Sequence, residues 1–165
     1  MKIDAIVYTS QTGYTREYAQ MLARTLELPA LALEEAQLPK GSDILYMGCI
    51  HMSRVKGFSK AKRRFTVRAV CGVGLCDTGT MTAEVRKATA IDTGIPLFTL
   101  QGGIDRSRLA GVNRLVIDML EKGLSDQKQR SAQDERILAL LCAEGSHVSA
   151  ENLRDVLDWY RTEAE

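Results

Sequence analysis

Tyr8-Thr9-Ser10-Gln11-Thr12-Gly13-Tyr14-Thr15, entered from the apolar run Ile3 to Val7, decides how this chain is read. A short apolar run reads as a buried strand, and from Tyr14 onward the apolar residues recur at helical spacing. Between the two, the chain breaks into hydroxyls around one glycine. A strand that passes through such a turn into a helix has the layout of a phosphate cradle. The amide N–H groups of the first helical turn point at the anion, and the helix dipole favours negative charge there. Ser10, Thr12 and Thr15 add hydroxyl donors. The stretch lacks the Gly-Lys-Ser/Thr ending of one common phosphate loop and the three glycines of the other. Hydroxyls replace the lysine, which suits a phosphate held without a counter-charge. The same residues also fit a plain strand-to-helix turn capped by Ser or Thr.

Working outward, the pattern alternates between strand and helix. Residues 3–8 read as the first strand, and residues 14–27 as a helix with Tyr14, Tyr18, Met21, Leu22, Thr25 and Leu26 on one side, stopped by Pro29. Ala30 to Leu33 is a short second strand. Ile44 to Ile50 is a continuous apolar run, as expected of a central parallel strand buried on both faces. Lys56 to Arg64 reads as helix, Val67 to Val73 as strand, Thr80 to Ala90 as helix and Leu97 to Leu100 as strand. Leu109 to Lys122 follows as a helix, with Leu109, Val112, Val116, Met119 and Leu120 expected on its inner face. Residues 123–148 are irregular, with a polar stretch from Ser125 to Arg136 and an apolar one from Ile137 to Ala143. A last helix runs from Val148 to Tyr160, with Ser149 as N-cap and Leu153, Val156, Leu157 and Tyr160 inward. Five strands alternating with helices predict a doubly wound parallel sheet with helices on both faces.

At 165 residues the chain is one domain, with the residues from about 123 as a helical extension. A hydrophobic share of 45% supports a sizeable core, and a net charge of +1 argues neither for nor against nucleic acid. No apolar run approaches the ~20 residues of a membrane span. The first residues run straight into a strand, so a signal peptide is not expected. The four cysteines lack CxxC spacing, so reduced thiols and a cytoplasmic setting are the expectation.

In open α/β sheets, ligands sit outside the carboxyl ends of the strands. Here the loops after the first, third and fifth strands are expected to converge: the hydroxyl loop, Gly48-Cys49-Ile50-His51-Met52-Ser53-Arg54, and Gln101-Gly102-Gly103-Ile104-Asp105. Gly48, Gly102 and Gly103 would let backbone approach a flat ring. Among these residues, His51 is the side chain suited to proton exchange near neutral pH. It reads equally well as a loop histidine with no special role, and Met52 as ordinary packing.

Ser10-Gln11-Thr12-Gly13-Tyr14-Thr15 closely resembles the FMN-phosphate loop of the flavodoxin family, Thr/Ser-x-Thr-Gly-x-Thr, with Tyr14 where that family usually has Asn. Gly48-Cys49-Ile50-His51-Met52, the stretch from Phe98 to Leu109 with its Gly-Gly-Ile-Asp-Arg-Ser-Arg-Leu, and the closing Val148-Ser149-Ala150-Glu151-Asn152-Leu153 look like the flavodoxin-domain group that includes the menaquinone-dependent protoporphyrinogen oxidases. The resemblance implies a flavodoxin-like sheet in the order 2-1-3-4-5, FMN as cofactor and a redox role. It implies Ser10, Gln11, Thr12, Gly13, Tyr14 and Thr15 at the phosphate. It also implies Cys49, Ile50, His51, Met52, Gln101, Gly102, Gly103 and Ile104 at the ring. Flavodoxins usually stack aromatic side chains on the flavin, and neither of those last two loops carries Trp or Tyr.

From Arg54 to Arg68 the chain has seven basic residues and no acidic one. Lys56, Lys60 and Arg64 recur every fourth residue and would share a helix face, with Arg63 beside them. Such a patch suits a carboxylate-bearing substrate, an acidic partner or an anionic membrane surface. It equally suits a solvated helix. Three functions follow. The first is an FMN oxidoreductase of protoporphyrinogen-oxidase type, exchanging electrons with a redox protein or a small-molecule or quinone acceptor. The second is an electron carrier without its own substrate. The third is a flavodoxin-fold interaction protein that has lost its flavin.

Overall fold

The computed structural model describes residues 2–109 and 111–163. It is an α/β structure built on a mostly parallel sheet. Strands β1 (Ala5–Thr9), β2 (Ala30–Ala32), β3 (Asp43–His51), β5 (Thr66–Gly74) and β6 (Leu97–Gln101) run parallel. A two-residue strand, β4 (Arg54–Val55), folds back antiparallel onto the end of β3 and pairs His51 with Arg54. The sheet thus has six strands in the order β2-β1-β3-β5-β6, with β4 beside β3, rather than the five expected. The extra strand comes from a tight hairpin in which Met52 and Ser53 both take positive φ, 50° and 60°. Two-residue hairpins with that geometry are usually announced by Asn-Gly or Asp-Gly, and Met-Ser gives no such signal.

The sheet is buried on both faces. Successive residues of a strand point to opposite sides. In β3, Ile44 and Tyr46 join one core while Leu45 and Met47 join the other. The first core is closed by helices α2 (Phe58–Arg64) and α3 (Thr82–Thr89), through Phe58, Ala61 and Val85. The second is closed by helices α1 (Tyr14–Leu26) and α6 (Arg154–Glu163), through Tyr18, Leu22 and Val156. In β5 the alternation slips by one residue. The pairing passes from Ile44 with Val67 to Leu45 with Ala69, leaving Arg68 as the bulged residue. Its Nε donates to Asp43 Oδ1 at 2.5 Å.

The carboxy-terminal part differs most from the sequence reading. Helix α4 spans Val112–Ser125 and α5 spans Ala132–Ala143, both within or against the stretch read as irregular. Ser131 and Asp134 cap α5 reciprocally, each side chain accepting the other's backbone N–H. Leu109 precedes the helix expected to begin there, and Ala110 lies outside the described residues. The expected inner face of α4 is also corrected. Val112, Met119 and Leu120 are 73%, 64% and 44% exposed, because α4 turns Ile117 and Leu124 toward α5 and Ile104. A short strand β7 (Gly103–Ile104) pairs with β8 (Gly145–Ser146), which fastens this hairpin beside the end of β6. Ser149 does cap the closing segment, although its first turn is 3-10 (Ala150–Leu153) before α6 begins.

Tyr18 and Tyr46 fasten loops to the sheet. Tyr18 donates to the Gln101 carbonyl at 2.5 Å and accepts from Asn152 Nδ2 at 2.6 Å. Tyr46 donates to the Lys56 carbonyl at 2.6 Å, with its hydroxyl 2.9 Å from Thr9 Oγ1. Gly57, at φ +81°, passes directly over that hydroxyl, and a Cβ there would overlap Tyr46 Oη and lie 2.6 Å from Thr9 Oγ1. Gly57→Ala is therefore expected to cost about 2 kcal/mol or more, from both the left-handed backbone and the overlap. Urea unfolding of the variant against the parent protein checks this, and an unchanged midpoint would contradict it.

Candidate functional site

The hydroxyl loop forms as an open cradle. Gly13 stands at the start of α1 with φ +101°, a conformation that favours glycine. Its N–H donates to Ser10 Oγ at 3.1 Å. Ser10 thereby settles the turn but caps none of the first-turn amides, and α1 has no side-chain cap. An uncapped helix start leaves donors facing outward. Thr15, in the first turn, is only 2% exposed.

One residue at this loop escaped the sequence reading. Arg108 reaches across from the segment after β7, and its Nη1 donates to the Thr12 carbonyl at 3.1 Å. Its Nε lies 3.0 Å from Asp105 Oδ2. A guanidinium, paired with Asp105, therefore stands beside the hydroxyl loop. The signal was present as Asp105-Arg106-Ser107-Arg108, but nothing local to it says that it folds onto a loop 96 positions earlier.

Beside the cradle, at the carboxyl ends of the parallel strands, lies a cavity of about 130 Å³. Of the expected site residues, Gln11, Thr12, Tyr14, Thr15, Cys49, Ile50, His51, Gly102, Gly103 and Ile104 line it. Ser10, Gly13, Met52 and Gln101 do not. Ser10 and Gly13 shape the loop behind it, as described above. Met52 is 77% exposed at the tip of the β3–β4 hairpin. Gln101 is occupied in fastening loops, since its N–H donates to Thr78 Oγ1 at 3.0 Å and its Nε2 to the Leu75 carbonyl at 3.3 Å. The sequence reading missed Gly74, the last residue of β5, Leu75 after it, and Asn113 and Ile117 of α4. The carboxyl-end rule that picked the other loops applies equally to Gly74.

The glycines of these loops serve the protein's own packing. A Cβ on Gly48 would lie 2.6 Å from the Lys56 carbonyl, and one on Gly102 would lie 2.8 Å from Val73 Cγ1. Gly103 lies so close to the Gly145 carbonyl that no Cβ fits between them.

A second cavity of about 560 Å³ adjoins the first. Ile50, His51, Gly74, Leu75 and Ile117 line both. His51 Nε2, in this shared wall, is buried and has no hydrogen-bond partner. A buried polar atom without a protein partner is costly unless a water or another group meets it.

Burial, opposed by the Lys56 charge, raises the pKa of the Cys49 thiol, whose Sγ is 3.6 Å from Gln11 Oε1. Burial likewise raises the Tyr14 phenol, helped by Asp105 and opposed by Arg108. Hydrogen bonds from Ser107 hold the Asp105 carboxyl below its ordinary value.

The basic run is not the single open face expected. Helix α2 starts at Phe58, so Lys56 lies outside it. Lys60 pairs with Glu34 at 2.5 Å and Lys62 with Asp92 at 2.6 Å. Arg64 donates to the carbonyls of Leu33 and Ala36 and stacks over Phe65. Arg63 remains exposed. No helix is long and apolar enough to cross a membrane among the described residues.

No family model, curated protein or solved structure matches this chain.

The four thiols are free and unequally placed. Reaction with iodoacetamide at neutral pH, followed by peptide mass spectrometry, should modify exposed Cys142 first. Cys49 and Cys76 should lag, because burial raises both pKa values and leaves little thiolate. Their rates should climb only as the pH passes above the ordinary thiol range. Cys71, fully buried, should stay unmodified in the folded protein. Rapid labelling of Cys49 at neutral pH would contradict the closed wall described here.

Proposed function

We propose that the chain is an FMN-binding flavoprotein with a redox role. The observation that carries this is the uncapped, hydroxyl-lined start of α1 opening beside a crevice whose wall holds the unpartnered His51 Nε2. The sheet supports it. The mostly parallel α/β sheet is consistent with a flavodoxin-like fold, although its six strands and their order depart from the five-stranded 2-1-3-4-5 expected.

The residues present fit the cofactor in parts. The first-turn amides of α1, with the Thr12 and Thr15 hydroxyls, would donate charge-assisted hydrogen bonds to the phosphate oxygens. Arg108, paired with Asp105, stands at the lip of that loop. The smaller cavity has room for a chain rather than a tricyclic ring, so the ring would draw on the wall shared with the larger cavity. Ile50, Leu75 and Ile117 in that wall would exclude water from the ring. Bound FMN supplies reversible electron uptake at its ring, and the protein supplies position and electrostatics.

Of the three functions, an oxidoreductase with a small-molecule partner is favoured over a carrier, because the larger cavity leaves a second volume beside the site. A protoporphyrinogen substrate rests on the resemblance alone.

The test is equilibrium binding of FMN and riboflavin, followed by flavin fluorescence. The parent protein should prefer FMN strongly. Thr12→Ala should weaken FMN by about 1 kcal/mol or more, through loss of one hydroxyl bond to a charged group, and leave riboflavin unchanged. Equal affinity for the two flavins, or an unaffected variant, would remove the phosphate assignment.

A further inference from the structure

We infer that a third pocket, between the start of α1 and the β7–β8 pair, binds a small organic dication, a linear aliphatic diamine in its protonated form. Its accepting groups are Glu17, Glu144 and the Tyr14 hydroxyl. The volume of about 550 Å³ falls within the roughly 300–1,000 Å³ of small-molecule pockets. Glu17, Asp105 and Glu144 line it against a single cation, Arg108. Asp105 is already satisfied, because the Ser107 N–H and hydroxyl both donate to its Oδ1 and Arg108 Nε lies 3.0 Å from its Oδ2. Arg108 is committed to that pair and to the Thr12 carbonyl. Glu17 is exposed and has no ion pair among the described residues. Glu144 shares the Arg106 guanidinium with Asp118 and Glu121, three carboxylates on one cation. Arg106 Nε stands 3.0 Å from Glu144 Oε1 without a well-directed hydrogen bond, so the Glu144 oxygens stay open as acceptors.

Acidic side chains alone would make only a solvated surface. Tyr14 is the second feature. Its amide belongs to the first turn of α1, while its side chain, 7% exposed, lines this pocket. Its hydroxyl has no hydrogen-bond partner among the described residues. The charges that act on that hydroxyl, Asp105, Arg108, Glu17 and Glu144, are the four that line the pocket. A neutral phenol placed among them offers its lone pairs to a cation. The spacing of the acids decides which cation. No three His, Cys, Asp or Glu side chains come close enough to hold a metal ion among the described residues. A compact divalent ion needs several oxygens around one point, whereas ammonium groups at the two ends of an alkyl chain reach carboxylates set apart. Three carboxylates against one guanidinium leave two negative charges, which a diammonium matches. Each ammonium brings three donors, and Ile104 gives the methylene chain an apolar wall. This inference concerns the outer pocket alone and stands whether or not FMN occupies the neighbouring cradle.

The test is calorimetric titration of the purified protein with 1,4-diaminobutane at low ionic strength, compared with n-butylamine and magnesium chloride. Butylamine carries the single charge of a lysine side chain. The diamine should bind one per chain and at least about tenfold more tightly than butylamine, because its second ammonium makes a further hydrogen bond to a charged group. Glu17→Gln, at an exposed position where the fold is not at risk, should weaken the diamine about tenfold by removing one such contact. Tyr14→Phe, which keeps the ring and its packing, should weaken it severalfold. Equal binding of butylamine would overturn the inference, by showing a surface that takes any single amine. Displacement of the diamine by equimolar magnesium would overturn it as well, by showing a diffuse negative field and no shaped site. So would an unaffected Glu17→Gln. The flavin assignment is read from FMN binding and is untouched by any of these outcomes.

Discussion

The burial of β3 on both faces is the constraint from which the rest of the structure follows. Ile44, Leu45, Tyr46 and Met47 are each fully buried, alternating between two cores. A parallel strand in that position needs helices above and below it. Parallel pairing then sends the carboxyl ends of β1, β3, β5 and β6 to one edge of the sheet. The hydroxyl cradle, His51, Gly74 and the Gly102–Asp105 segment meet there because the sheet leaves them nowhere else to go. Chemistry at that edge is a consequence of how the core is closed.

The α4–α5 hairpin completes the edge. Ile117 enters both cavities, and Leu141 closes the larger one from α5. Ion pairs and apolar packing both attach the hairpin. Arg106 contacts Asp118 and Glu121 of α4, and Glu144 just after α5. Arg136 pairs with Asp77 at 2.8 Å, tying α5 to the loop after β5. Ion pairs this exposed are weak individually and screened by salt. The apolar packing of Ile104, Leu124 and Leu141 does more to hold the hairpin, while the pairs fix where it sits.

Much of this was legible in the sequence, and the parts that were not share a cause. The apolar run Ile44 to Ile50 announced a doubly buried strand, and Ser10 to Thr15 announced the cradle, because both signals are local. The β4 hairpin was hidden because Met52 and Ser53 adopt positive φ without glycine or asparagine. Arg108 was hidden because its partner Thr12 lies far away in the chain. The face of α4 was misread because its apolar residues surround the helix, and only contact with α5 decides which of them are covered. Helix α5 had a signal, Ser131-x-x-Asp134 ahead of an apolar run, that was read as polar irregularity.

The account turns on whether the open cradle is a flavin phosphate site. The most direct measurement is the visible absorption spectrum of the protein as purified, with the released chromophore identified by mass spectrometry. The account expects flavin bands and FMN as the released species. A colourless protein whose spectrum does not change when FMN is added would contradict it, and would leave the fold as a scaffold without its cofactor.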